Sequence, residues 1–170
     1  MKATLEKINE LHRQGIIERF AIGGGIAHFY YIEAGTTYDL DVMVGMKVQT
    51  SGLISLTSLY DWAEKSGYEV SEEHIVIEGI PVHFLPAYNP IVTEAIEKAE
   101  EVEIFGVKTF MMRPEYLMVI MLDTYRAKDR ERLIKFLSQS RYSLEIFESL
   151  AARFGVLHKY EEFKAKYYDQ

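Results

Sequence analysis

Apolar residues recur at helical spacing at Leu5, Ile8 and Leu11 and Gly15 closes the run, so the pattern predicts a helix over 4–14. Arg19–Ile22 is a short run leading into three consecutive glycines, and it predicts a strand. Ile26–Ile32 is apolar and aromatic enough for a short buried helix, and Asp39–Val44 alternates polar and apolar residues at the period of a strand. Leu53, Leu56, Leu59, Tyr60 and Ala63 line one side of an expected helix over Ser51–Lys65 that stops near Gly67. Two hairpins are expected next, His74–Ile77 with Ile80–Leu85 around Glu78-Gly79, and Glu101–Phe105 with Val107–Met111 around Gly106. Between them Asn89-Pro90 opens a helix to about Ala99, with the proline suited to a first turn. From Pro114 onward the pattern is helical over 114–137, 141–153 and 158–167, with Gly155 separating the last two. This order predicts an α+β chain: a mixed sheet with flanking helices over 1–112 and a helical region over 113–170, packed on it or merged with it in one domain.

Chemistry concentrates in Ile22-Gly23-Gly24-Gly25-Ile26-Ala27 and, after a spacer, Tyr38-Asp39-Leu40-Asp41-Val42-Met43-Val44. Alternation puts Asp39 and Asp41 on one face of a strand, with Leu40 and Val42 turned to the core. Two neighbouring carboxylates repel each other unless a cation lies between them, and a hard divalent ion with oxygen ligands meets that need. The glycines let backbone N–H groups approach an anion at a helix start. Metal plus phosphate is the chemistry this pair of motifs suits.

Composition narrows the setting. The 170 residues suffice for one domain with a real core, and 48% hydrophobic with 26% charged residues is ordinary for a globular protein. The absence of cysteine excludes disulfides and thiolate metal sites. No run approaches the roughly 18 apolar residues of a membrane span, and the charged start Met1-Lys2-Ala3-Thr4-Leu5-Glu6-Lys7 lacks the apolar core of a signal peptide, so a cytoplasmic location is expected. The net charge of −7 disfavours strong non-specific nucleic-acid binding. That charge is uneven: residues 1–110 carry 8 Lys and Arg against 17 Asp and Glu, and residues 111–170 carry 11 against 9. Arg126, Lys128, Arg130, Arg132 and Lys135 cluster in the second stretch, either as a solvated helix face or as a surface for a polyanion.

In three patches between residues 20 and 130 the sequence resembles the nucleotidyltransferase superfamily with a polymerase-β-like palm, and within it the AbiEii-type toxin group of small proteins. The patches are Gly24-Gly25-x-Ala27, then Thr37-Tyr38-Asp39-Leu40-Asp41-Val42, and Pro114-Glu115-Tyr116-Leu117 continuing to Tyr125-Arg126-Ala127-Lys128-Asp129. The resemblance implies transfer of a nucleoside monophosphate from an NTP to a hydroxyl acceptor, which would be an RNA 3′ end, a protein or a small molecule. It implies Mg²⁺ or Mn²⁺ on Asp39 and Asp41, nucleotide contacts from Gly23, Gly24, Gly25, Thr37 and Lys128, and an antitoxin protein as partner in the toxin-like branch. The sequence departs from the pattern at three positions. His83 stands where the third carboxylate is expected, as a proton acceptor or as a ligand favouring Mn²⁺ over Mg²⁺. Met121 replaces a lysine, and Gly35 replaces an arginine ahead of the Asp-x-Asp motif. These losses make the alternative a catalytically degenerate protein of the same fold that binds a nucleotide or a partner; a metal-dependent phosphohydrolase ranks behind both.

Overall fold

The strand that carries Asp41 lies at the middle of a seven-stranded mixed sheet. The computed structural model describes residues 1–32, 37–45, 55–71 and 73–167. In chain order the elements are α1 (Lys2–Arg13), β1 (Arg19–Ile22), α2 (Gly24–Tyr31), β2 (Leu40–Gly45), α3 (Thr57–Lys65), β3 (Glu69–Val70), β4 (Ile75–Ile77) and β5 (Ile80–Pro86). They continue as α4 (Pro90–Glu97), β6 (Glu100–Ile104), β7 (Val107–Met111), α5 (Pro114–Thr124), α6 (Ala127–Gln139), α7 (Leu144–Arg153) and α8 (Leu157–Tyr167). The sheet order is β3-β4-β5-β2-β1-β7-β6. β2 runs antiparallel to β1, with Ile22 opposite Val42, and parallel to β5, with Leu40 opposite Val82 and Asp41 opposite His83. Leu40, Val42 and Val44 are wholly buried while Asp41 and Met43 between them are half-buried, so the period-two reading of this strand holds.

The chain forms two compact units. The first, Met1–Ala27 with Thr36–Met112, contains the whole sheet with α1, α3 and α4. Leu5, Ile8 and Leu11 of α1 are fully buried. Two side chains tie the helix to distant strands: Thr4 Oγ1 donates to the Ile77 carbonyl at 3.2 Å, and Asn9 Nδ2 to that of Lys108 at 2.7 Å. The second unit, His28–Gly35 with Arg113–Gln170, holds α5 to α8 around Phe136, Phe147 and Phe163, all fully buried. There Ser143 caps α7 and its own N–H donates to the buried Glu115 carboxylate at 2.7 Å, while Lys159 Nζ donates to the Asp123 carbonyl at 2.9 Å. Among the described residues no helix is long and apolar enough to cross a membrane.

Four expectations need correction. Asp39 is not in the strand: β2 starts at Leu40, and Asp39 occupies the bend before it, where Thr37 hydrogen-bonds its backbone and side chain. The helix after the glycines begins at Gly24, two residues earlier than its apolar content suggests, because two of the glycines are themselves helical. α3 begins at Thr57; Ser51 to Ile54 lie outside the described residues, and Ser55 and Leu56 precede the helix. The helix expected over 114–137 is two helices. Tyr125 takes a left-handed conformation (φ 50°) that ends α5, and Arg126 is extended. The buried Asp129 then restarts the helix by accepting hydrogen bonds from the Arg126 backbone N–H at 3.2 Å, Arg126 Nε at 2.6 Å and Thr124 Oγ1 at 2.8 Å. Burial works against its charge, but the hydrogen bonds from Arg126 and Thr124, with the positive charge of Arg126, hold Asp129 below the usual carboxylate range.

His28 gives the second unit a pH dependence of its own. It is 5% exposed, its ring lies against Phe29 and Phe136, and among the described residues its Nδ1 has no hydrogen-bond partner. Burial, assisted by the positive charges of Arg132 and Lys135, pushes it from 6.5 down to about 4. The folded chain therefore binds fewer protons than the unfolded chain between those values, and stability falls as pH drops through them, by up to about 3 kcal/mol. Asp129 contributes in a separate window, losing its stabilisation only as pH falls below the ordinary carboxylate range. Thermal melts at pH 7.5 and pH 5 should show a large drop in the wild type and most of it abolished in His28→Phe; equal drops in both would exclude His28 as the cause.

Candidate metal and nucleotide site

The site is built where β1 turns into α2. Ile22 leaves the sheet beside Val42, and the Gly23 N–H donates to the Asp41 carbonyl at 3.0 Å, so the first glycine is held by the sheet. Gly24 opens α2 with φ 53°, in the left-handed region where a side chain is strained. A Cβ on Gly24 would collide with the Asp41 carboxylate oxygen Oδ2, and one on Gly25 would lie 2.7 Å from Thr37 Oγ1. Glycine is thus required at both positions by the groups they face. The first-turn N–H groups of α2, including those of Gly24 and Gly25, have no acceptor within the helix, which suits that end to an anion.

Asp41 and His83 are partners across the parallel β2–β5 ladder, and their side chains emerge on one side of it. His83 Nδ1 lies 3.8 Å from Asp41 Oδ1, and both side chains are mostly but not fully buried. Asp39 joins them from the bend: one donor atom each from Asp39, Asp41 and His83 lies within 4.8 Å of the others. Thr37 Oγ1 donates to Asp39 Oδ1 and so steers that carboxylate. The 3.8 Å separation is too long for a hydrogen bond. Ligands about 2.1 Å from one ion stand roughly 3 Å apart when adjacent and 4 Å when opposite, and the spacing falls within that range. Two carboxylate oxygens and one imidazole nitrogen are donors of the kind a divalent ion takes, and the nitrogen tilts the set from Mg²⁺ toward Mn²⁺ and other borderline metals.

The remaining expected residues are less concentrated. Lys128 is exposed in the first turn of α6, in the second unit. Met121 is buried in α5, and Gly35 lies outside the described residues. Sequence reading missed His74. Its ring stacks on that of His83, with centroids 5.6 Å apart and planes 15° from parallel. The signal was available in the hairpin: Ile75 pairs with Val82, so the residue before Ile75 neighbours the residue after Val82 across the strands.

No protein-family model matches the sequence, and no curated protein matches it. Solved structures do. The chain is similar to the solution structure of the antibiotic-resistance factor ANT(2″)-Ia, at 17% identity over 99% of this chain and 98% of that one, with a TM-score of 0.59. It is similar also to the crystal structure of an antigenic nucleotidyltransferase-like protein from Paracoccidioides brasiliensis, at 16% identity over 94% and 89% of the two chains, with a TM-score of 0.53. At such identities the likeness is one of architecture, and the chain has a nucleotidyltransferase fold.

The collision at Gly24 is testable. Gly24→Ala combines a strained φ with the overlap on Asp41 and should destabilise by about 3 kcal/mol. Gly79→Ala, at φ 78° with nothing within 4 Å, should cost only the backbone strain of roughly 1–2 kcal/mol and leave Mn²⁺ titrations unchanged. Denaturant melts and Mn²⁺ titrations of both variants check this; equal behaviour would mean that Asp41 does not lean on the turn.

Proposed function

We propose that the chain is a metal-dependent nucleotidyltransferase that moves a nucleoside monophosphate from an NTP to a hydroxyl acceptor. The observation that carries this reading is the convergence of Asp39, Asp41 and His83 in unit one, which also contains the glycine turn that Asp41 packs against. In it, Asp39 and Asp41 would hold Mg²⁺ or Mn²⁺, with His83 as the third donor. A divalent ion there would neutralise triphosphate oxygens and stabilise the departing pyrophosphate. The Gly24 and Gly25 amides, at the start of α2, take the β- and γ-phosphate oxygens. Thr37 keeps the Asp39 carboxylate turned to the site through its hydrogen bond. The acceptor oxygen attacks the α-phosphorus, its bond to phosphorus forms as the bridge to the β-phosphate breaks, and the hydroxyl proton leaves to the nearest base or to water.

In the second unit, α6 carries a basic face that supports binding of a polyanion such as RNA. Lys128, Arg132 and Lys135 follow each other by four and three residues, a single helix face, while Leu133, Phe136 and Leu137 face the core. The toxin-like assignment, an antitoxin partner and a cytoplasmic location rest on the sequence patches and composition alone. One observation favours the second reading, a binding module without chemistry: the position of the expected lysine is filled by Met121, buried in α5 and unable to supply a cation.

Calorimetric titration with ATP, GTP, CTP and UTP in Mg²⁺ and in Mn²⁺ separates these readings. Metal-dependent binding of at least one nucleotide is expected, and Asp39→Asn with Asp41→Asn should weaken it on the order of 100-fold or more and abolish transfer. Transfer that survives the double substitution would refute the scheme, and binding with no turnover on any acceptor would favour the module.

A further inference from the structure

We propose that His74 is a positioning residue for the metal site: its ring is the platform that fixes the His83 imidazole with Nδ1 toward Asp41. The inference rests on the reading of Asp39, Asp41 and His83 as one donor set and adds what holds its third member still. A histidine on a strand can swing about two side-chain torsions, and a donor nitrogen that swings binds an ion poorly. The two carboxylates are restrained, Asp39 by Thr37 and Asp41 by the glycine turn it packs against. For His83 the restraint is a flat one: the His74 ring lies 5.6 Å away and 15° from parallel, from the neighbouring strand β4 side of the hairpin.

His74 is itself held at several points. Its Nδ1 is 3.0 Å from Ser71 Oγ, its backbone N–H reaches the same oxygen at 3.1 Å, and its carbonyl accepts the Ser71 backbone N–H at 2.9 Å. This closed turn ahead of β4 sets the plane of the ring before β5 is reached. A half-buried histidine so fixed at the start of a short hairpin is more than a filler of core volume, because neither it nor His83 is among the buried residues. The chain of contact therefore runs Ser71 to His74 to His83 to Asp41, and it ends on the donor set.

The test is Mn²⁺ binding to the full chain, followed by the electron paramagnetic resonance of free and bound ion, with pulsed detection of nitrogen coupling from a ligated imidazole. His74→Ala should weaken Mn²⁺ about tenfold and diminish the nitrogen coupling. His74→Phe keeps a flat ring on the same backbone bonds to Ser71 and should recover wild-type affinity to within about threefold and restore the coupling, a rescue that His74→Leu, bulky without a plane, should not produce. Should His74→Ala fail to fold, His74→Leu, of similar bulk without a plane, takes its place with the same expectation. Unchanged affinity and coupling in the ringless variant would overturn the proposal, and so would failure of His74→Phe to rescue. His83→Ala reports on the underlying reading instead: it should abolish the nitrogen coupling, and a signal that persists there would remove His83 from the donor set whatever His74 does.

Discussion

One missing carbon atom organises this site. Where β1 hands over to α2, the backbone turns with a positive φ, and the space a Cβ would fill on Gly24 is taken by the Asp41 carboxylate. The same residue receives the Gly23 N–H on its carbonyl, so the turn is bonded to Asp41 through the backbone and moulded around it through the side chain. A second copy of the constraint operates one residue on, where Gly25 makes room for Thr37, and Thr37 in turn holds Asp39. The glycines serve two demands at once. They give a helix start open to an anion, and they let two acidic groups lie close together.

Much of this was legible in the sequence because it depends on local period and on turn chemistry. The alternation of Leu40, Asp41 and Val42 announces a half-buried strand, and Glu78-Gly79 and Gly106 mark the hairpins that β4–β5 and β6–β7 form. What escaped was set by partners distant along the chain or by groups that override periodicity. Asp39 fits the strand pattern, yet Thr37 holds it in the bend, and no period-two rule contains that hydrogen bond. The break at Tyr125 interrupts a continuous helical pattern because a buried carboxylate at Asp129 caps the next helix. His74 was overlooked for the opposite reason: the hairpin register implied it, but a histidine next to a turn carries no pattern of its own.

That break changes how the third patch of the sequence should be read. Tyr125-Arg126-Ala127-Lys128-Asp129 joins two helices: Tyr125 supplies the left-handed residue and its carbonyl accepts Arg130 Nη1 at 2.8 Å, while Arg126 and Asp129 form the ion pair of the cap. In this chain the patch is a structural joint between α5 and α6. Of its members only Lys128 is both charged and spared these duties, so any role toward phosphate in this patch falls to that one exposed side chain.

An imidazole in place of a carboxylate changes the electrostatics of the candidate donor set. With His83 as its third member, the cluster carries one negative charge fewer than three carboxylates would, which lessens its hold on a cation. A weaker hold on the ion places more weight on geometry. With less Coulomb energy to draw donors onto an ion, the donors must already be in position. The glycine turn at Asp41, the Thr37 hydroxyl at Asp39 and the stacked ring at His83 are three separate ways of meeting that requirement.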